Sequence, residues 1–293
     1  MSRAHATIHP MNARERTGPI AVFDSGVGGL TVLHECLVSL PHEDFVYFGD
    51  TARFPYGDRT PEQLRSFALE IADHLIARGA KALVVACNSA TSAALTELDN
   101  TYGRHLPVVT VVRPESRLAA QTTQNGQVGL LATSATVASG AYERALHEVA
   151  PEATLHPVAC PALTPLIQEG REIDQHLVEL VDEYCAPLKA EGVDTVILGC
   201  THYPLVRPII QRSLGRGIKL ISSGEAIAED LAERLAAGDL ANDHDRRGTY
   251  RFLCSGDTEA FSKLATRFLQ LPLGDVAQVD VATAVRRPNG VAA

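Results

Sequence analysis

Short apolar runs that each break into a glycine-rich or polar loop and then into an amphipathic segment are the feature that most constrains this chain. The run IAVF (20–23) is followed by DSGVGG (24–29) and then by LTVLHECL, an order typical of strand, loop and helix. The run FVYFG (45–49) leads through a loop to Thr60 and Gln63, which form a capping-box pattern with proline at the first helical position. Units of this kind predict a parallel sheet whose loops cluster at one edge.

The same order of elements occurs a second time along the chain. In the first half, the apolar run KALVVA (81–86) ends at Cys87, directly before a helix-prone segment. In the second half, QVGLLATSATVASG (127–140) repeats the pattern of the first strand and its loop, and DTVILG (194–199) then ends at Cys200. The matching positions indicate an internal duplication, with one cysteine at the same topological place in each half.

These patterns predict an α/β fold of two similar parallel-sheet lobes related by pseudo-twofold symmetry, with the active site in the cleft between them. The segment YRFLCSG (250–256) is predicted as one more strand that returns to complete the first lobe. The predicted division of the chain is a flexible leader at 1–18, a first lobe at 19–111 plus 225–285, a second lobe at 112–224, and a flexible tail at 286–293.

Composition argues against several classes of protein. A net charge of −9 over 293 residues, without a cluster of lysine and arginine, argues against nucleic acid as a direct ligand. No apolar run approaches the ~20 residues of a membrane span, and the first 18 residues lack the apolar core of a secretory signal. Six scattered cysteines without a CxxC pair are typical of reduced thiols, so we expect a cytoplasmic protein with no membrane partner.

Two of the cysteines point to chemistry. A cysteine that closes a strand and opens a helix lies near the backbone N–H groups of the helix start, which favour its thiolate. For a single cysteine the more common role is a small buried hydrophobic side chain. Cys87 and Cys200, at matching places on facing lobes, instead predict a thiol on each side of one substrate carbon. Racemisation needs this arrangement, because a single base returns the proton to the face that it left.

A candidate proton partner accompanies each cysteine: Asp24 for Cys87, and His202 for Cys200. Alternatives stay open, since Asp24 also fits a helix-terminal or turn carboxylate and His202 a structural hydrogen-bonding residue. Cys200 and His202, with the distant Cys87, also form a candidate zinc set. Without compact ligand spacing or a clear fourth ligand, we predict no metal.

No cofactor is predicted from the sequence. The chain has neither GxxxxGK nor a strict GxGxxG, which argues against a nucleotide. None of its four lysines lies in a phosphate-cradling glycine loop, which disfavours pyridoxal phosphate. The loops instead carry hydroxyl and amide groups beside helix N-termini, which suit an amino-acid zwitterion, although such residues are also ordinary helix caps.

Four segments resemble the signature segments of the glutamate racemase family, in the same order and with similar spacing: VFDSGVGGLTVL, YFGDTARFPYG, VVACNSATS and LGCTHYPL. The similarity extends over about residues 20–256. It implies two α/β lobes, no cofactor, a two-thiol reaction on glutamate as small-molecule substrate, and a supply of D-glutamate for bacterial peptidoglycan. We also expect a homodimer.

Residue roles follow from this resemblance. Cys87 is implied to remove the proton from D-glutamate, and Cys200 to remove it from L-glutamate. Asp24 is implied to assist Cys87, and His202 to assist Cys200. The residues implied to line the substrate are Ser25, Pro55, Tyr56, Gly57, Asn88, Ser89, Thr91 and Thr201.

Three positions depart from the family pattern. Ser89 replaces a usual threonine and keeps its hydroxyl, while VRPE (112–115) stands where a Pro-Gly or Pro-Ala turn is usual. Gln168 lies near a position where many members carry glutamate. We expect the loss of that carboxylate to affect rate and pH dependence through His202, rather than the type of reaction, unless neighbouring Glu169 takes its place.

Two other functions stay open at this point. An aspartate racemase of the same superfamily differs mainly in pocket length, although the segments GCTHYP and DSGVGG favour glutamate. The second alternative is a binding protein that inhibits a partner and racemises amino acids as a secondary activity. The intact set of Cys87, Cys200, Asp24 and His202 argues against lost catalysis.

Overall fold

A computed structural model describes residues 17–170, 173–243 and 245–281 of the chain. The predicted leader, apart from residues 17 and 18, and the whole predicted tail lie outside the described residues, as do residues 282–285 of the predicted first lobe. Within the described ranges, no helix combines the length and the apolar character that crossing a bilayer requires.

The described strands form two sheets. In chain order they are β1 (Ile20–Asp24), β2 (Phe45–Gly49), β3 (Ala82–Val85), β4 (Val108–Thr110), β5 (Gln127–Ala132), β6 (Thr154–Ala159), β7 (Thr195–Gly199), β8 (Lys219–Ile221), β9 (Tyr250–Cys254) and β10 (Val276–Gln278). One sheet has the order β10-β9-β2-β1-β3-β4, and the other has the order β6-β5-β7-β8. Every neighbouring pair of strands is parallel.

Helices connect and cover these strands. They are α1 (Leu30–Ser39), α2 (Pro61–Ile76), α3 (Asn88–Tyr102), α4 (Val112–Thr122), α5 (Ser134–Ala138), α6 (Ala141–Val149), α7 (Leu163–Gln168), α8 (Gln175–Ala190), α9 (Arg207–Leu214), α10 (Ser223–Ala237) and α11 (Thr258–Leu269). The predicted capping box starts α2, where Thr60 Oγ1 accepts from Gln63 N at 3.3 Å and Gln63 Oε1 accepts from Thr60 N at 3.1 Å. Pro61 occupies the first helical position, where its missing N–H costs nothing.

The two sheets share one topology. The order β2-β1-β3-β4 in the first corresponds to β6-β5-β7-β8 in the second, so the first strand of each half lies between the second and third. The predicted α/β fold with two parallel-sheet lobes is thereby confirmed. The strand predicted at the end of the chain is β9, which pairs with β2 in the first sheet. The lobe boundaries stay predictions, and β10 was not anticipated.

The central strands are buried on both faces. Every residue of β1, β3 and β7 is buried, which explains why these strands read as continuous apolar runs rather than as alternating patterns. In a parallel sheet the carboxyl ends of the strands lie at one edge, and loops there are free to carry chemistry. The loops after β1, β3, β5 and β7 therefore meet at the junction of the two sheets, where the site lies.

Candidate active site

One small cavity contains both candidate cysteines. It is lined by Ser25, Phe54, Tyr56, Gly57, Cys87, Asn88, Ser89, Thr133, Thr164, Cys200, Thr201 and His202. Its volume of about 20 Å³ is space for one or two water molecules. The site described is therefore closed, with no room for an amino acid.

The Cys87 thiol caps a helix. Cys87 follows β3 and is the N-cap residue of α3, with its Sγ accepting from Ala90 N at 3.4 Å. Burial raises the pKa of this thiol well above its usual range, and the nearby charge of Asp24 raises it further. Hydrogen bonds from Ala90 N and from Ser25 act in the opposite direction, because they stabilise the thiolate. In the closed cavity Cys87 is a protonated thiol.

The Cys200 thiol follows β7 and has different neighbours. Thr164 Oγ1 lies 3.4 Å from its Sγ, and Nδ1 of His202 lies 3.8 Å away. Burial raises the pKa of Cys200 to about 12, and hydrogen bonds from Thr164 and from the His202 backbone lower it. Cys200 therefore also carries its proton in the closed cavity, but beside an imidazole rather than a carboxylate.

The imidazole of His202 is oriented for accepting a proton from Cys200. Its Nε2 lies 2.7 Å from Oε1 of Gln168, an acceptor, so Nε2 carries the ring proton. Burial lowers the pKa of His202 to about 3, so the ring is neutral near neutral pH. Nδ1 is then an unprotonated acceptor facing Cys200, and the aromatic rings of Phe54 and Phe268 pack against the imidazole.

Asp24 lies at the end of β1, is fully buried and is not among the residues that line the cavity, but its side chain links the two lobes. Its Oδ2 accepts from Gly26 N at 3.0 Å, and its Oδ1 accepts from Thr201 Oγ1 of the opposite lobe at 3.3 Å. Burial raises the pKa of Asp24, against the effect of these hydrogen bonds and of one from the Gly29 backbone. A buried carboxyl with a raised pKa near Cys87 fits a proton-transfer partner.

The structure brings most of the predicted substrate residues to the cavity wall. Ser25, Tyr56, Gly57, Asn88, Ser89 and Thr201 line it. Pro55 instead lines a smaller neighbouring cavity, which it shares with Gly57 and Thr133. Thr91 is fully buried in α3, where its Oγ1 donates to Val85 O at 3.3 Å, so it supports the loop after β3 rather than facing the cavity.

A buried carboxylate anchors the loop that carries Tyr56. Asp50 accepts from the Tyr56 hydroxyl, from Arg53 Nε at 2.6 Å and from Ser255 Oγ at 2.7 Å. Arg53 also forms a salt bridge with Glu70, in which its Nη1 lies 2.6 Å from Oε2 of Glu70. Because Ser255 directly follows β9, the returning strand helps to position the Tyr56 side of the cavity.

Several cavity residues were not predicted. Phe54, Thr133 and Thr164 line the cavity, and Thr133 forms a 2.9 Å hydrogen bond with Ser89 of the other lobe. The internal duplication gave a signal for Thr133. It lies directly after β5, just as Asp24 lies at the end of β1, the equivalent strand of the first lobe. Thr164 had no comparable signal, because its contact with Cys200 joins segments 36 residues apart.

A metal centre has no support in the side-chain arrangement. Across residues 17–170, 173–243 and 245–281, no three His, Cys, Asp or Glu side chains are grouped as a metal ion requires. Cys200 and His202 are close to each other, but their neighbours are hydroxyl and amide groups. The arrangement is instead one of two buried thiols with separate proton partners, a set that can move protons on two sides of a small ligand.

Comparisons with known proteins agree on one family. A family model described as Asp/Glu/hydantoin racemase matches residues 32–231. The glutamate racemase of Beutenbergia cavernae is 46% identical over 268 residues, which cover 88% of this chain and 91% of that protein.

Solved structures of similar proteins give the same result. A glutamate racemase isoform from Bacillus anthracis has a TM-score of 0.86 at 38% sequence identity. The match covers 90% of this chain and 97% of the Bacillus anthracis chain. Glutamate racemase from Francisella tularensis, solved in complex with D-glutamate, also has a TM-score of 0.86, at 30% sequence identity. The match covers 92% of this chain and 99% of the Francisella tularensis chain.

Proposed function

The chain belongs to the Asp/Glu/hydantoin racemase family, and from this membership we propose that it interconverts L- and D-glutamate by moving the Cα proton between two thiols. The observation that carries the proposal is that Cys87 and Cys200 follow equivalent strands of two equivalent sheets and line the same cavity. A planar carbanion held between them receives a proton from the face opposite to the one deprotonated.

Proton transfer in the L-to-D direction starts at Cys200. Its thiol gives a proton to Nδ1 of His202, and the resulting thiolate takes the Cα proton of L-glutamate. The Cys87 thiol then donates its proton to the other face, which leaves D-glutamate and a Cys87 thiolate. Asp24, whose pKa is raised by burial, is the group near Cys87 that gives a proton to this thiolate; when the product leaves, solvent takes the proton from His202 and restores the one on Asp24. The D-to-L direction reverses these steps.

The charge of the substrate helps to ionise the thiols. In the closed cavity, burial disfavours a thiolate at both cysteines. An α-ammonium group bound between them supplies a positive charge that offsets this cost, because an opposite charge within a few ångströms favours the ionised form. The thiolate therefore forms when glutamate is present and water is largely excluded.

The cellular role follows from the substrate. D-Glutamate made by this reaction supplies bacterial peptidoglycan, as the family resemblance implies. We place the reaction in the cytoplasm because all six cysteines are free thiols, as reducing compartments favour. The homodimer and the absence of nucleic-acid binding stay predictions from the sequence.

Purified, chelator-treated protein is expected to racemise glutamate without an added cofactor. Circular dichroism would follow the loss of ellipticity from L-glutamate, and the same assay with L-aspartate would test the alternative substrate. In D2O, the product is expected to carry solvent deuterium at Cα, because the donating thiol exchanges with solvent. Activity that appears only with pyridoxal phosphate or a metal ion would contradict the two-thiol mechanism, and faster turnover of aspartate would contradict the substrate.

Replacing Gln168 with glutamate is expected to introduce an acidic limb in the pH profile. A carboxylate accepting from Nε2 raises the pKa of His202 from about 3 by about 1 to 3 pH units. His202 must be neutral to accept a proton, so activity is lost as pH falls through the raised pKa. The measurement is kcat/KM for glutamate against pH, with Glu169→Gln as the matched control. Identical acidic limbs in Gln168→Glu and the unmodified protein would contradict this orientation of His202.

A further inference from the structure

A glutamate side chain lies fully buried next to Asn88, a residue of the cavity wall. Glu115 belongs to α4, and its carboxyl group is enclosed by α3, α6 and α10. Asn88 Nδ2 lies 3.2 Å from its Oε2, the Tyr142 hydroxyl donates to the same oxygen, and the Ser223 hydroxyl contacts Oε1. The proton-transfer steps do not use this group.

The donors and acceptors of this cluster determine how Asn88 is oriented. Nδ2 of Asn88 faces two oxygens that are themselves hydrogen-bonded to each other, the Tyr142 hydroxyl at 2.6 Å and Glu115 Oε2 at 3.2 Å, and donates toward this pair. The Tyr142 hydroxyl donates its hydrogen to Oε2 of Glu115, so Oε2 acts as an acceptor in this cluster. The amide of Asn88 is therefore held by its nitrogen side.

The other side of the Asn88 amide is left available. Asn88 lines the cavity between the two cysteines, and its Oδ1 is buried without a hydrogen-bond partner among the residues that the structure describes. A buried carbonyl oxygen without a donor is costly unless a ligand supplies one. The α-ammonium group of an amino acid is such a donor.

We propose that Glu115 is a positioning residue that fixes the Asn88 amide so that Oδ1 accepts a hydrogen bond from the substrate ammonium. This inference rests on the proposed function. Burial raises the pKa of Glu115 to about 8, but the orientation does not depend on its ionisation. A proton on Oε1 is accepted by the Ser223 hydroxyl, and Oε2 remains an acceptor for Asn88 in both states.

Removing the acceptor tests this role. Glu115→Ala frees the Asn88 amide to rotate, and we expect the KM for glutamate to rise about tenfold, the size of one lost hydrogen bond to a charged group. Glu115→Gln keeps an acceptor at the Oε2 position and donates to Ser223, so its KM is expected to stay close to that of the unmodified protein. Ser223→Ala is the matched control, since Ser223 contacts Glu115 without contacting Asn88.

A double-mutant cycle separates positioning from general stability. If Glu115 acts through Asn88, Glu115→Ala adds no further loss in the Asn88→Ala background, whereas a structural role gives additive losses. KM and glutamate binding by calorimetry would be measured together with thermal unfolding of each variant. Additive losses, or a Glu115→Ala protein with unchanged KM, would overturn the inference. An unmodified protein that neither binds nor racemises glutamate would overturn the proposed function instead.

Discussion

Replacing either Cys87 or Cys200 with serine is expected to lower kcat/KM for glutamate by about 10³-fold, because each thiol supplies one of two acid/base steps. A serine hydroxyl is too weak an acid to form the alkoxide that would replace the thiolate. The equilibrium constant of a racemisation is one, so kcat/KM must fall equally in the two directions for each variant. Circular dichroism started from L-glutamate and from D-glutamate would measure both.

Isotope exchange then assigns each thiol to a face. In D2O, any residual exchange at Cα is expected with L-glutamate for Cys87→Ser and with D-glutamate for Cys200→Ser, since each variant keeps one thiol. Cys36→Ser is the matched control, because Cys36 is a buried free thiol of α1 outside the cavity. Full turnover by either active-site variant, or exchange of both enantiomers by both variants, would contradict the two-thiol mechanism.

Local patterns carry the parts of this molecule that were predictable. Cys87 and Cys200 each close an apolar run, so their places at strand ends could be inferred from a few neighbouring residues. The topology then followed from the repeat of those units, because parallel strands bring their carboxyl ends to one edge. The strand β10 escaped prediction, since it is three residues long and has no strong apolar pattern.

Contacts between distant segments account for what the sequence could not show. Gln168 was recognised as a departure near His202, but its hydrogen bond to Nε2 depends on how α7 packs beside the loop after β7. The segment VRPE (112–115) was recognised as a departure where a turn is usual, but it begins helix α4, and nothing local indicated that Glu115 would be buried. Its environment is formed by the helices α3, α4, α6 and α10, which are far apart in the sequence. No pattern of neighbouring residues predicts that these helices pack together.

The loop after β1 approaches the site so closely that a methyl group does not fit at Gly28. A Cβ at this position would lie 2.4 Å from Nδ1 of His202 and 2.4 Å from Oγ1 of Thr201. The backbone of Gly28 is outside the left-handed region, so alanine is tolerated by the main chain and steric overlap is the whole effect. Both contacted side chains touch groups of the proposed mechanism, since His202 faces Cys200 and Thr201 donates to Asp24.

Gly28→Ala is therefore expected to lower kcat/KM for glutamate by about 10²-fold, as a displacement of about 1 Å in a catalytic group does. Gly26→Ala is the matched control in the same loop, because its Cβ would approach no atom closer than 3.3 Å, at the edge of the Phe54 ring. Glutamate racemisation and thermal unfolding would be measured for both variants. Equal activities of the two alanine variants would show that the close approach at Gly28 does not hold His202 in place. A loss confined to Gly28→Ala, in a protein that still unfolds cooperatively, would instead show that this glycine lets the first lobe position the proton acceptor of the second.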